Sequence, residues 1–266
     1  TIVFNTLRDS PASKITTWDL SGENLGPEIA KPLADYLSFT GSLTKISVRQ
    51  NELGDEGTTI LCDALRESKV TNVQELDVGY NRIGPDGAKA VAAMAAVVAS
   101  LTELSISGNS IGDDGKYALG AAVSSSMRRL VCDNLDLRAD ASQLDLHSQG
   151  LGPGDAALIA GGLRAFMASL TKILVGDNNL GDEGTTILCD ALRESKVTKV
   201  QQLHLWRNGI GPDGAKAIAA LCTVTGSLTS LLLASNQLGD DGAEALSVGL
   251  KENKSLKTLD LTGDPY

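Results

Sequence analysis

Aliphatic residues recur along the chain with two interleaved periods. Strings such as LTKISVRQNELG from Leu43, VQELDVGYNRIG from Val73, LTELSISGNSIG from Leu101, VQQLHLWRNGIG from Val200 and LTSLLLASNQLG from Leu228 share an alternating core, as in Leu76-Asp77-Val78. Alternation sets the two aliphatics on one face of a short strand and the residue between them on the other. The pattern predicts strands at Ile46 to Val48, Leu76 to Val78, Leu104 to Ile106, Leu144 to Leu146, Ile173 to Val175, Leu203 to Leu205 and Leu231 to Leu233, all parallel in one sheet. After each strand the period lengthens. Ile60, Leu61, Ala64 and Leu65, and again Ile187, Leu188, Ala191 and Leu192, mark the apolar stripe of a helix. Helices begin at Gly54-Asp55-Glu56-Gly57 and Gly84-Pro85-Asp86-Gly87. There proline lacks only an N–H that the first turn leaves unpaired, and acids suit the helix dipole and a capping role.

Self-comparison explains the regularity. GDEGTTILCDALRESKVT, from Gly54 to Thr71, recurs letter for letter as Gly181 to Thr198, and Ile83 to Ala90 returns as Ile210 to Ala217. The chain is a tandem duplication, predicted to form one array of two modules, about 1–128 and 129–266. Within each module the strand-to-strand spacing is roughly 28 to 30 residues, with a longer interval between Ile106 and Leu146. The seam from Met127 to Gln143 has apolar Leu130, Cys132, Leu135 and Leu137 but no helical stripe, and it echoes Ile2 to Thr17.

The strings all read L-x-x-L-x-L-x-x-N-x-L-G with aliphatic substitutions. From Trp18 onward the chain resembles the leucine-rich repeat family, in its ribonuclease-inhibitor-like subclass. The resemblance implies an α/β solenoid, or horseshoe, with a parallel sheet on the concave side and helices on the convex side. It also implies a non-catalytic scaffold that holds a protein partner on the concave face and its rims. Asn51, Asn81, Asn109, Asn178, Asn208 and Asn236 follow the strands where the chain turns away, and their amides are predicted to satisfy backbone groups of the neighbouring turn as an asparagine ladder. Glu23 and Gln149 take that register in the first repeat of each half.

The strand residues that point away from the core line the candidate site. They run from Asp19, Ser47, Arg49, Glu75, Asp77 and Glu103 in the first half to Leu174, His204, Trp206 and Leu232 in the second. The first half is polar and mostly acidic, whereas the second exposes large apolar groups. Trp206 is the leading hot-spot candidate, since an outward strand position has no core duty and tryptophan is enriched at binding hot spots. Trp18 falls on a core leucine register instead. Tyr80, before Asn81, reaches toward the rim, and His204 beside Trp206 offers a pH-sensitive contact.

Charge and composition narrow the function classes. A net charge of -10 argues against a nucleic-acid partner, since phosphate binding needs clustered Lys and Arg, and favours a protein with a basic surface. Only 3% of residues are aromatic, so Leu, Ile, Val and Ala must fill the core. The longest apolar run, Val91 to Ala99, falls short of the ~20 residues of a membrane span. Cys62, Cys132, Cys189 and Cys222 lack Cys-x-x-Cys spacing, and His147 and His204 have no second ligand pair, so no metal is expected. Equivalent Cys62 and Cys189 lie four repeats apart, which points to free thiols in a reducing, intracellular compartment. No phosphate-cradling glycine loop or converging catalytic trio is present, so neither cofactor nor enzymatic activity is expected. The alternatives are a structural subunit of a large organellar or cytoskeletal assembly, and a GTPase activator of the Ran-activator type with Arg49 as its candidate residue. The abrupt ends, Thr1-Ile2-Val3-Phe4 and Leu259 to Tyr266, suggest a fragment of a longer array or ends covered by partners.

Overall fold

A computed structural model describes residues 15–38, 40–195 and 199–263. The sequence echo at Ile2 to Thr17 therefore lies almost wholly outside the described residues. The chain divides into two compact units, residues 1–136 and 137–266.

The first unit runs β1 (Thr17–Asp19), a 3-10 turn (Pro27–Ile29), α1 (Ala30–Leu37), β2 (Lys45–Ser47), α2 (Gly54–Glu67), β3 (Glu75–Asp77), α3 (Pro85–Ala95), β4 (Glu103–Ser105), α4 (Gly112–Ala122) and β5 (Arg129–Cys132). The next strand, β6 (Leu135–Arg138), carries the chain past the division. The second unit continues with β7 (Gln143–Asp145), α5 (Pro153–Ala165), β8 (Lys172–Leu174), α6 (Gly181–Glu194), β9 (Gln202–His204), α7 (Pro212–Val224), β10 (Ser230–Leu232), α8 (Gly239–Glu252) and β11 (Thr258–Asp260).

Strands β1 to β5 pair in parallel and in sequence order, as do β7 to β11. The result is two sheets, of six and five strands, where the repeat pattern alone predicts one. The reason lies in the seam. Only Asp133 and Asn134 separate β5 from its sheet neighbour β6, with Asp133 at φ +50°. A two-residue link joins antiparallel neighbours only, because a parallel pair needs a long crossover. The returning β6 therefore occupies the edge of β5 that a following parallel strand would have used.

Within each sheet the register aligns the inward residues into rows. Trp18, Ile46, Leu76, Leu104 and Leu130 form one row, and Leu144, Ile173, Leu203 and Leu231 another; all are buried. Trp18 packs on Tyr36 of α1, ring centroids 4.6 Å apart. On α2 the buried stripe is Gly57, Thr58, Leu61, Cys62 and Leu65, so the helix is rotated slightly from the stripe predicted through Ile60 and Ala64. Close-packed aliphatic burial of this kind contributes about 1.5–3 kcal/mol for each large side chain. Asp155 caps its own helix through the Gly152 N–H at 3.0 Å, whereas two other helix-start acids cap the next helix. Asp55 of α2 accepts the N–H groups of Gly84 and Gly87 (2.6 and 2.9 Å) at the start of α3, and Asp182 of α6 serves Gly211 and Gly214 of α7 at 2.7 and 2.8 Å.

The turns after the strands hold the asparagines. Asn208 donates from Nδ2 to the carbonyls of Leu205 and Trp206 in its own turn and of Val175 in the preceding repeat, while its Oδ1 accepts the Leu180 N–H. Its own N–H donates to Oδ1 of Asn236, one repeat on. Asn81 repeats this arrangement with Val48, Val78, Gly79, Leu53 and Asn109. Asn51, Asn109, Asn178 and Asn236 likewise accept from the preceding repeat and donate to carbonyls of two turns. The residue before the asparagine adopts left-handed φ, between 49° and 57° at Gln50, Tyr80, Asp177, Arg207 and Ser235, which turns the chain away from the strand.

All four cysteines are buried free thiols. Burial pushes the Cys62 thiol up to about 12 and Cys222 to about 11, and raises Cys189, with Cys222 nearby as a second cause. These three thiols are therefore protonated at neutral pH, and only a thiolate is nucleophilic. Two measurements check this packing. Alkylation at pH 7.5 should leave all four thiols unlabelled in the native chain and label all four after denaturation without reductant. Asn81→Ala or Asn208→Ala should lower stability by about 1–3 kcal/mol, because buried carbonyls and N–H groups lose their partner. Urea denaturation reads the difference, and a loss below a few tenths of a kcal/mol at both sites would remove the structural role assigned to the amides.

Candidate functional site

On the open face of the second sheet the side chains stand in rows set by the register: Gln143, Lys172, Gln202 and Ser230 in one, Asp145, Leu174, His204 and Leu232 in the next. His147, Gly176 and Trp206 follow two residues further along their strands. The Trp206 indole lies over Gly176, where a Cβ would overlap the ring. It stacks on His147, centroids 5.7 Å apart and 29° between planes, and the Arg207 guanidinium stands 5.8 Å from its centroid. The His204 ring is 6.4 Å from that of His147, whose Nδ1 is 2.7 Å from Oδ1 of Asp145. Three rings thus form one half-buried platform. Its position depends on a residue without a side chain at 176.

Leu232 is half-buried at the edge of this platform. Leu174 departs from its expected exposure: only 9% of it is accessible, so it belongs to the floor. Asp145 and His204 flank it in register and leave little of a leucine side chain open. The sequence pattern assigns His147 no role on this face. Nothing in its local spacing signals the stack, which depends on Trp206 two strands away and about 60 residues on in the chain.

The first unit's face is built from charges. Lys45 meets Glu75 at 2.6 Å, Arg49 meets Asp77 at 3.7 Å, and Arg129 lies 3.9 Å from Glu103 while binding Asp136 through two bonds of 2.8 and 3.0 Å. The hydrogen bond to Glu75 raises the Lys45 pKa, and that to Asp136 raises Arg129. Arg49 also lies 4.5 Å from the centroid of the Tyr80 ring, which is 48% exposed at the rim. Glu75, Asp77 and Glu103 therefore carry local counter-ions, and the face is less acidic than its acids alone suggest. Arg129 was not among the expected site residues, because it lies in the irregular seam where the repeat pattern gives no register. A cavity of about 150 Å³ runs among Lys45, Glu75, Asp77, Glu103 and Arg129.

Residues 71–92, 99–120, 198–219 and 227–247 match the Leucine Rich repeat family. The chain is a leucine-rich repeat protein. Ribonuclease inhibitor of Sus scrofa is 29% identical to it over 241 residues, which cover 91% of this chain and 50% of that protein. NACHT, LRR and PYD domains-containing protein 3 of Mus musculus is 30% identical over 230 residues, covering 85% of this chain and 20% of that one. The chain thus spans about half the length of the ribonuclease inhibitor and a fifth of the NACHT protein. A solved internalin from Listeria monocytogenes aligns with 16% identity and a TM-score of 0.36, over 92% of this chain and 61% of that one, a likeness too loose to bear on function. Among the described residues of this leucine-rich repeat protein, no helix is long and apolar enough to cross a membrane, and no group of three or more His, Cys, Asp or Glu is placed to hold a metal ion.

The platform has an acid–base consequence. Burial lowers the His204 pKa, and the neighbouring His147 and Lys172 add to this, against a smaller opposite effect of Asp145. With the folded value below the ordinary ~6.5, the unfolded chain takes up the proton first. His204 therefore costs stability as pH falls below about 6.5, and that cost is absent above it. Urea denaturation at pH 7.5 and 5.5 should show a loss on acidification that is smaller in His204→Gln. Equal losses in the two proteins would contradict the assignment.

Proposed function

We propose that the protein is a non-catalytic binding array whose partner, another protein, rests on the open sheet face of the second unit. The observation that carries this reading is the Trp206 ring, spread over Gly176 and stacked on His147. A large aromatic ring held on a sheet face, outside the core, is the kind of desolvating anchor on which interface energy concentrates. Leu232 and His204 extend its apolar surround. The likeness to ribonuclease inhibitor and to repeat regions of NACHT proteins supports protein binding in general. The first unit's face keeps a surplus of carboxylates over Lys45, Arg49 and Arg129, which suits steering of a basic patch on the partner. Four buried free thiols fit a reducing compartment.

The partner is obtained by cross-linking in the source cells followed by mass spectrometry, and its affinity is then measured with purified proteins. Trp206→Ala should weaken binding by about 2 kcal/mol or more while leaving the thermal midpoint in place. Gly176→Val, which pushes the ring off its seat, should weaken binding through the same residue. Unchanged affinity in Trp206→Ala would overturn the reading and move the interface to the rims or the helical side.

A further inference from the structure

The duplication supplies an internal control on the sheet faces. From Leu43 to Ala90 and from Leu170 to Ala217 the two copies differ at eleven of 48 aligned positions. Five of the eleven are outward strand positions: Ser47 against Leu174, Arg49 against Gly176, Glu75 against Gln202, Asp77 against His204, and Gly79 against Trp206. Four more lie in the turns that follow: Gln50 against Asp177, Glu52 against Asn179, Tyr80 against Arg207, and Arg82 against Gly209. Helices α2 and α6 do not differ at all. The inward residues Ile46, Val48, Asn51 and Leu53 are also the same as Ile173, Val175, Asn178 and Leu180. Folding constrains the interior equally in both copies, so the differences gather where side chains meet solvent or a partner.

One outward residue is unchanged in both copies, and its surroundings are reversed. Lys45 is answered inside the chain by Glu75 on the adjacent strand at 2.6 Å, with Glu103 one strand further. Lys172 holds the same register, but Gln202 replaces Glu75 and Ser230 replaces Glu103. Asp77, the acid of the next row, is replaced by His204. Among the described residues no carboxylate lies within ion-pair distance of Lys172, and the carboxylate of Asp145 faces His147 instead. The second face thus sets an ammonium, a side-chain amide and a hydroxyl on three consecutive strands about 4.8 Å apart. All three can donate hydrogen bonds, and they stand beside the aromatic platform.

We propose that this row, Lys172, Gln202 and Ser230, receives a carboxylate of the partner, an Asp or Glu side chain that takes the place Glu75 fills in the first copy. The inference rests on the platform reading above and adds to it a recognised chemistry. The partner segment carries an acidic residue about two to four residues from an apolar or aromatic one, the acid meeting Lys172 and the apolar side chain resting on Leu232 and Trp206, one and two rows further along the strands. An ammonium given a charged acceptor makes a shorter and stronger hydrogen bond than a neutral pair does, so the acid sets orientation while the rings supply contact area.

A random dodecamer peptide library displayed on phage, selected against the full chain, tests this directly and does not require the partner in hand. The expected result is a family of peptides sharing one Asp or Glu about two to four residues from an apolar residue. Their affinity, measured by fluorescence polarisation, should fall at least tenfold when that acid is changed to Asn or Gln, and as much in Lys172→Gln. Gln202→Glu should also block them, because the new carboxylate pairs with Lys172 as Glu75 does with Lys45. Both positions are partly exposed, and circular dichroism confirms that the variants fold. Peptides that lose affinity in Trp206→Ala but not in Lys172→Gln would overturn the acid pocket and leave the platform standing. Peptides indifferent to Trp206→Ala would overturn both. Replacing the acid by phosphoserine should give no more than the affinity of Glu; a gain of tenfold or more would overturn the carboxylate in favour of a phosphate ligand.

Discussion

The structure depends on one side-chain amide repeated through the chain. A strand of three residues has too few ladder hydrogen bonds to hold its place, and the bend that follows leaves carbonyls and N–H groups facing inward. Each ladder asparagine resolves this by donating to carbonyls of its own turn and of the preceding repeat while accepting an N–H from that preceding repeat. A buried polar group without such a partner costs about 1–3 kcal/mol, so one missing amide would strand several groups at once. No other side chain offers two donors and an acceptor on so short a stem. The bend also requires left-handed backbone just before it, which the chain adopts at residues as different as Tyr80, Arg207 and Ser235.

With the bends secured, the outward strand positions are released from folding duty. They can carry any chemistry that tolerates water, and the two copies have used that freedom differently. In the first unit the face is a lattice of ion pairs around Lys45, Arg49 and Arg129. Pairs as exposed as these add little stability, and they hold long side chains in defined places. In the second unit the acids are gone from the centre and three rings occupy the same rows. Trp206 can lie over its neighbouring strand because residue 176 is glycine where the first copy has Arg49; an Arg at that position would fill the space the indole takes. The change at one strand thus permits the change at the next.

The same economy is visible at the helix starts. Asp55 and Asp182 cap the helix that follows, not their own, so each of these two repeats contributes a hydrogen-bond acceptor to the next. Asparagine, aspartate and the aliphatic rows all act between repeats. A single repeat therefore leaves polar groups of its strand and turn unsatisfied, and stability within a unit resides in the interfaces between successive repeats.

Local periodicity alone determined the strands, the helices, the buried rows, the place of the asparagines and the core position of Trp18, because each depends on whether a residue points in or out, and that alternation is written into adjacent positions. The outward position of Trp206 and Leu232 on their strands follows on the same ground. Tertiary structure decided what lies between strands. The stack of Trp206 on His147, the burial of Leu174, the pairing of Arg129 with Asp136 and the cap from Asp55 to α3 are contacts across strands, across a hairpin or between repeats. Their geometry follows from register and side-chain direction, for which no spacing along the chain is a signal. The end of the first sheet belongs to the same class: the seam was visible in the sequence as a stretch without a helical stripe, but only the antiparallel return of β6 shows why no further parallel strand can join β5.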